Sequence, residues 1–296
     1  MTPRAKLIPS FSKDLPEYRE RTYAIELYGG LGDVFNHFYG APCYSGLEGL
    51  AENERIFVLN SSHNSCVWEL FAWHRKANQI TVASPGFFVH FQDPAWRASM
   101  GLHPELGQGC AHRWPMGPVA YYPPEDELPI LRNVTGRGPY IAFAATASDT
   151  ARSLPREHVL DAAARCLSHG FRVVLTGRNY GFHEAHNGLE IRRRETRLDI
   201  PGIEDVIDRL TIPGTAKVIE RAAGVVTCHS AICMLAWHLK RPTFSIVDEG
   251  ARKMYFDDSK FEGYAFGANR PGNAWASFES HDGASVDRWL AGIPKP

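Results

Sequence analysis

Short apolar runs alternate with amphipathic stretches along the chain. In the first half, Tyr23–Tyr28, Arg55–Asn60 and Gln79–Ala83 predict strands. In the second half, Pro139–Ala144, Phe171–Thr176, Gly224–Thr227 and Thr243–Val247 predict four more. Runs this short and this continuously apolar suit strands buried on both faces of a parallel sheet. Helical spacing fills the intervals. Cys66–His74 turns Val67, Leu70 and Phe71 inward. Arg156–His169 places Val159, Leu160, Ala163 and Leu167 on one face and stops at Gly170. Ile203–Leu210 and Thr215–Ala223 read as short helices, and Ala284–Leu290 as a closing one. Residues 1–21, polar and punctuated by proline, read as an extended lead-in. Residues 84–137 are rich in Gly, Pro, Trp and His and predict long loops, as do 248–275. The strand–helix–strand unit over 139–176 implies a right-handed parallel crossover. Two such half-chains predict two α/β domains facing across a cleft, at 1–137 and 138–275, with 276–296 closing the chain.

Composition narrows the function classes. The 296 residues are 44% hydrophobic and 22% charged, as in a soluble globular protein. A net charge of −1 provides no global field for a polyanion. The six cysteines at 43, 66, 110, 166, 228 and 233 form no CxxC pair, so reduced thiols and a cytoplasmic location are expected. The amino terminus has no apolar signal region, and no apolar stretch is long enough to span a membrane. His90, His103 and His112 lack ligand spacing, so no metal is expected.

Three places carry candidate chemistry. After the strand at 23–28, Gly29-Gly30-Leu31-Gly32-Asp33 forms a tight turn into a helix, although Phe35 stands where a dinucleotide fingerprint needs its third glycine. Asp33 has two readings: a first-turn acid complementing the helix dipole, or a carboxylate at the sheet edge able to take a proton from a hydroxyl. His63, in the loop after the second strand, is a possible acceptor contact or a loop-satisfying polar residue. The stretch from Gly224 to Pro242 reads as a strand, a turn of small residues and a helix stopped by proline. Ser230 stands at the N-cap, and the first-turn N–H groups there suit an anion such as a diphosphate. Alone, this is also what any strand–helix unit looks like. Arg192, Arg193, Arg194 and Arg197 form a basic run, a solvated face or a phosphate contact.

Taken in order, three segments resemble the heptosyltransferase-type glycosyltransferases of family nine, which have the glycosyltransferase-B fold of two Rossmann-like domains. Gly30-Leu31-Gly32-Asp33-Val34 is similar to that family's S/G-x-G-D-V turn. Ala144–Pro155, with the following helix and FRVVLTG, resembles its small-residue loop, K-x-W-P and V-x-L-x-G. VVTCHSAICMLAWHLKRP resembles V-x-x-D-[ST]-G-x-x-H-[LI]-A-x-A-L-x-[KR]-P. The resemblance implies an inverting, metal-independent transfer from a nucleotide sugar, used as co-substrate with no other cofactor. It makes Asp33 the catalytic base in the turn of Gly30 and Gly32, on the acceptor side, where the loop position of His63 makes it a further candidate. It assigns Arg152, Gly177, Glu184, His229, Ser230 and Ala231 to the donor. His229, Met234 and Leu154 depart from the family's aspartate, histidine and tryptophan, which puts ADP-heptose itself in question.

The acceptor implied is a hydroxyl on a glycan or a lipopolysaccharide-type molecule. One rival keeps the donor and transfers to hydroxymethylated bases of viral DNA, with the 192–197 run as its support. A sugar-nucleotide epimerase would need a further acid/base set that is not identifiable. A non-catalytic nucleotide- or glycan-binding module is the rival of another class, supported by His229 and Met234. A serine hydrolase is disfavoured because no GxSxG elbow occurs.

Overall fold

The computed structural model describes residues 5–27, 29–40, 47–60, 65–84, 93–99, 120–147, 152–177, 201–253 and 270–294. The chain divides into two compact units, Met1–Pro124 and Glu125–Pro296. Each contains one wholly parallel sheet among its described residues.

The first unit contains β1 (Lys6–Ile8), α1 (Pro16–Arg19), β2 (Tyr23–Leu27), α2 (Leu31–Gly40), β3 (Ile56–Asn60), α3 (Glu69–Ala72), β4 (Ile80–Ala83) and α4 (Pro94–Ser99). Its sheet runs β1-β4-β3-β2. The expected lead-in therefore contributes an edge strand, paired from Lys6–Ile8 to Thr81–Ala83. The stretch at 66–74 is helical as expected, but as a 3-10 turn over Ser65–Trp68 leading into the four residues of α3. Phe57, Leu59 and Ala24 pack with Tyr18 over the sheet. The Tyr18 and Phe57 rings meet edge-on at 5.0 Å, a favourable quadrupole arrangement.

The second unit contains α5 (Leu128–Thr135), β5 (Tyr140–Ala144), α6 (Arg156–Ser168), β6 (Arg172–Leu175), β7 (Ile203–Asp205), α7 (Ile212–Arg221), β8 (Gly224–Thr227), α8 (Ala231–His238), β9 (Thr243–Val247), α9 (Glu249–Ala251), β10 (Ala274–Ser277) and α10 (Gly283–Ala291). The sheet order is β10-β9-β8-β5-β6-β7. One face packs Ile141, Phe143, Val173, Leu175, Val226, Phe244 and Ile246 against α6 and α10. Gly224 lets α10 approach closely: a Cβ there would lie 2.7 Å from Ile293 Cδ1 and 3.0 Å from the Trp289 ring. Glu127, just ahead of α5, is buried and accepts from Thr211 N (2.6 Å), which ties α5 to the start of α7.

The structure also corrects the helix expected over 203–210. Ile203–Leu210 is not a helix: Ile203–Asp205 forms β7, paired with Val173–Leu175, and the chain then turns through Asp208 at φ 58°. The cross-strand ion pair of Glu204 with Arg172 (2.5 Å) reinforces a pairing that local propensity does not announce.

Candidate active site

In the second sheet the strand order reverses beside β5. From β5 the chain adds β6 and β7 on one side, then returns to add β8, β9 and β10 on the other. The segments leaving β5 and β8 therefore diverge at the carboxyl edge, and α/β sheets bind ligands in the crevice outside such a reversal.

The loop after β5 folds back on itself. Leu154 N donates to Ala145 O (2.8 Å), and Ala147 N to Ser153 Oγ (3.1 Å). This closure returns Arg152 to the sheet edge, where its charge acts on Cys228 and His229 at the exit of β8. Thr227 Oγ1 lies 3.2 Å from Ala144 O, 3.0 Å from Cys228 O and 3.3 Å from Ser230 Oγ. When Thr227 gives its single proton to a carbonyl, Ser230 donates to it. Ser230 thus occupies the N-cap of α8 with an extended backbone (φ −150°, ψ 174°), but its hydroxyl turns inward and caps nothing. Among the described residues, the start of α8 keeps its first-turn donors and its positive dipole end without a side-chain cap, and Ala231 is its first residue.

His229 is buried, and its pKa falls to about 4, chiefly through burial and then through the charge of Arg152, with Asp248 opposing. It is therefore a neutral imidazole near pH 7, offering one donor and one acceptor and no charge. Met234 and Leu154, the other departures from the family pattern, are buried apolar side chains. Cys228 and Cys233 are buried, and burial pushes both thiols up to about 12, so neither is a nucleophile near pH 7. Cys66 and Cys166 are likewise buried.

Gly177 follows β6 with φ 102° and accepts from Asp208 N at 3.1 Å. A Cβ there would meet nothing within 4 Å, so the demand for glycine is conformational. Two residues at the same edge escaped the sequence reading. Thr176 is buried with no hydrogen bond to its hydroxyl. Asp248, directly after β9, caps α9 through Oδ1 to Ala251 N (3.0 Å) and keeps Oδ2 buried without a partner. Its charge acts on His229 and Cys228. A single polar residue at each strand end was the available signal.

In the first unit, Gly29 turns at φ 79° and Gly30 N donates to Asp33 Oδ2 at 2.7 Å. A Cβ on Gly29 would lie 2.5 Å from that oxygen, so the turn accepts the carboxylate because glycine stands there. Asp33 is the third residue of α2, after Gly32, at the carboxyl end of β2. Both readings of Asp33 fit this placement, since the carboxylate complements the helix start and stands at the sheet edge. His63, Glu184 and the 192–197 run lie outside the described residues. Among the described residues, no cluster of three or more His, Cys, Asp or Glu could hold a metal ion, and no helix is long and apolar enough to cross a membrane.

Residues 124–248 match glycosyltransferase family 9 (heptosyltransferase). This span contains the second and third of the three resembling segments; the Asp33 turn lies before it. No curated protein matches the chain. Among solved structures, the chain is similar to E. coli ADP-heptose lps heptosyltransferase II, with 14% identity over 91% of this chain and 97% of that one, at a TM-score of 0.52. It is also similar to a glycosyl transferase family 9 protein from Veillonella parvula DSM 2008, with 9% identity over 87% and 86%, at a TM-score of 0.52. The chain thus has the two-sheet fold of these glycosyltransferases, and its second unit bears the sequence signature of the heptosyltransferase family.

Proposed function

We propose that the chain is an inverting glycosyltransferase that moves a sugar from a nucleotide-sugar donor to a hydroxyl of a glycan or lipopolysaccharide-type acceptor. The observation that carries this reading is the charge of Arg152 acting on His229, beside the uncapped start of α8, at the point where the sheet order reverses and inside the span that matches the family. The second unit is the donor side. Arg152 and the first-turn N–H groups of α8 would hold the diphosphate, with His229 as a neutral hydrogen-bonding neighbour. Gly177 frees the backbone beside β6 for the nucleoside. The first unit, with Asp33 and the turn of Gly30 and Gly32, is the acceptor side.

In the reaction, the acceptor oxygen attacks the anomeric carbon as the bond to the diphosphate oxygen breaks. Asp33 takes the acceptor proton. The diphosphate leaves with the bonding pair, and Arg152 and the α8 dipole stabilise its charge. These positive groups do the work that a metal does elsewhere, so the reading requires none. A cytoplasmic location agrees with the absence of a disulfide among the four described cysteines. His229, Met234 and Leu154 depart from the family's aspartate, histidine and tryptophan, which favours a donor other than ADP-heptose.

The test is calorimetric binding of ADP-heptose, ADP and UDP-, GDP-, CMP- and dTDP-sugars in EDTA. The reading predicts saturable binding of one nucleotide class and its weakening in Arg152→Ala. Binding of none of them to a folded protein would contradict it.

A further inference from the structure

The amino-terminal edge of the second sheet, at the far end of the strands from the donor site, carries arginines that the proposed reaction does not use. Arg172 begins β6, Arg221 ends α7 on the approach to β8, and Arg241 stands on the approach to β9. Ala223 N donates to Tyr140 O, and Val225 N to Pro242 O, each at 2.9 Å. The entries to β5, β8 and β9 therefore run side by side, with Arg221 and Arg241 flanking the start of β8.

Arg172 is built into the fold. It donates to Val134 O (2.9 Å) and to Glu204 Oε2 (2.5 Å), and its guanidinium lies 5.8 Å from the Tyr140 ring centre. Arg221 and Arg241 are different. Among the described residues, neither guanidinium makes a hydrogen bond or an ion pair, and Arg241 Nε is buried without an acceptor. Burial raises the Tyr140 pKa, and the charges of Arg172, Arg221 and Arg241 oppose it, so all three charges lie within electrostatic reach of the same phenol. Glu204, the carboxylate acting on that phenol, is already engaged by Arg172. A cation at a helix C-terminus is favourable, which accounts for Arg221 at the end of α7. It does not account for a buried guanidinium N–H with nothing to accept it, or for two like charges, Arg221 and Arg241, with no carboxylate paired to either among the described residues.

We propose that Arg221 and Arg241 form an anion site for a phosphate group, separate from the donor site. Guanidinium groups match the oxygens of phosphate in paired hydrogen bonds, and an anion there fills the vacant Nε donor and relieves the repulsion. A soluble phosphorylated molecule and the headgroup of an anionic lipid offer the same chemistry.

The test is isothermal titration of the full chain with inorganic phosphate, on wild type, Arg221→Gln/Arg241→Gln and Arg152→Gln. The double variant is expected to weaken one phosphate site by roughly tenfold or more, while Arg152→Gln leaves that site intact. Co-sedimentation with phosphatidylglycerol/phosphatidylcholine vesicles against pure phosphatidylcholine then separates the sources. Capture that depends on the arginine pair identifies a lipid headgroup, and phosphate binding without capture identifies a soluble ligand; both uphold the site. Equal phosphate binding in wild type and the double variant overturns it, most clearly if the double variant also unfolds at lower urea, which would make these arginines structural cations. The donor reading is scored independently, by nucleotide-sugar binding in Arg152→Gln.

Discussion

Charge at the candidate site comes from few residues, and each has a distinct job. Arg152 supplies a full positive charge, whereas His229, Ser230 and Ala231 supply hydrogen bonds and a dipole. Arg152→Ala should therefore weaken nucleotide-sugar binding by roughly ten- to a hundredfold, the range for a charge-assisted hydrogen bond. His229→Gln, which keeps hydrogen-bonding capacity without a ring, should change affinity by less, and calorimetry on the two variants checks the order. Burial also links histidines to stability. His74, His229 and His238 each fall to about 4, with burial the largest cause. In the unfolded chain these groups take up a proton near pH 6.5. Between pH 6.5 and 4 the unfolded state thus binds more protons than the folded one, so stability is full above 6.5 and declines as pH falls toward 4. Each group contributes on the order of 1–3 kcal/mol to that decline. Urea unfolding at pH 7.5 and 5 should show the loss, and His74→Gln should reduce it; a pH-independent midpoint would contradict the assignment.

The elements show what sequence patterns reveal and what they hide. Strands β5, β6, β8 and β9 were legible because strands buried on both faces are continuously apolar. The turn at Gly29–Asp33 was legible because glycine and a first-turn acid leave a local signature. Strand β7 was not: its Ile-Glu-Asp is partly exposed at the sheet edge, and it is a strand because β6 and Arg172 pair with it. Helix α5 was hidden by the proline at its second position, which the first turn of a helix tolerates. At the candidate site, the placement of Arg152, Gly177 and Ser230 at the strand ends was legible from the strand–loop–helix pattern, whereas their roles are proposals. The inward turn of Ser230, the neutral state of His229 and the buried oxygens of Thr176 and Asp248 were not, since they depend on what the fold places around each side chain. Helix α10 offers a direct check on packing. Gly224→Ala puts a methyl group against Ile293 and Trp289, and overpacking of this kind costs about 1–3 kcal/mol. A lower urea midpoint at unchanged slope is expected; wild-type stability would show that α10 packs less tightly on β8.

For the whole molecule, the account assigns the two halves of one reaction to two units. The family signature covers the second, which carries the proposed donor site, and Asp33 lies in the first. Binding and turnover should therefore separate by mutation. Substitutions around Arg152 should act first on donor affinity, whereas those at Asp33 should act on the chemical step. A binding module of the same fold would show the first effect and never the second. The Arg221–Arg241 site adds a third, independent readout at the opposite edge of the second sheet.

The central claim is tested most directly by comparing wild type with Asp33→Asn, using the nucleotide sugar that binds and a hydroxyl acceptor from the glycan class. Donor affinity is measured by calorimetry and nucleotide release by single-turnover assay. The account predicts donor affinity within about twofold of wild type and transfer slowed by roughly 10²–10⁴, the usual contribution of a positioned general base. Wild-type transfer by Asp33→Asn would contradict it, because the proton would then leave by another route and the first unit would not hold the base.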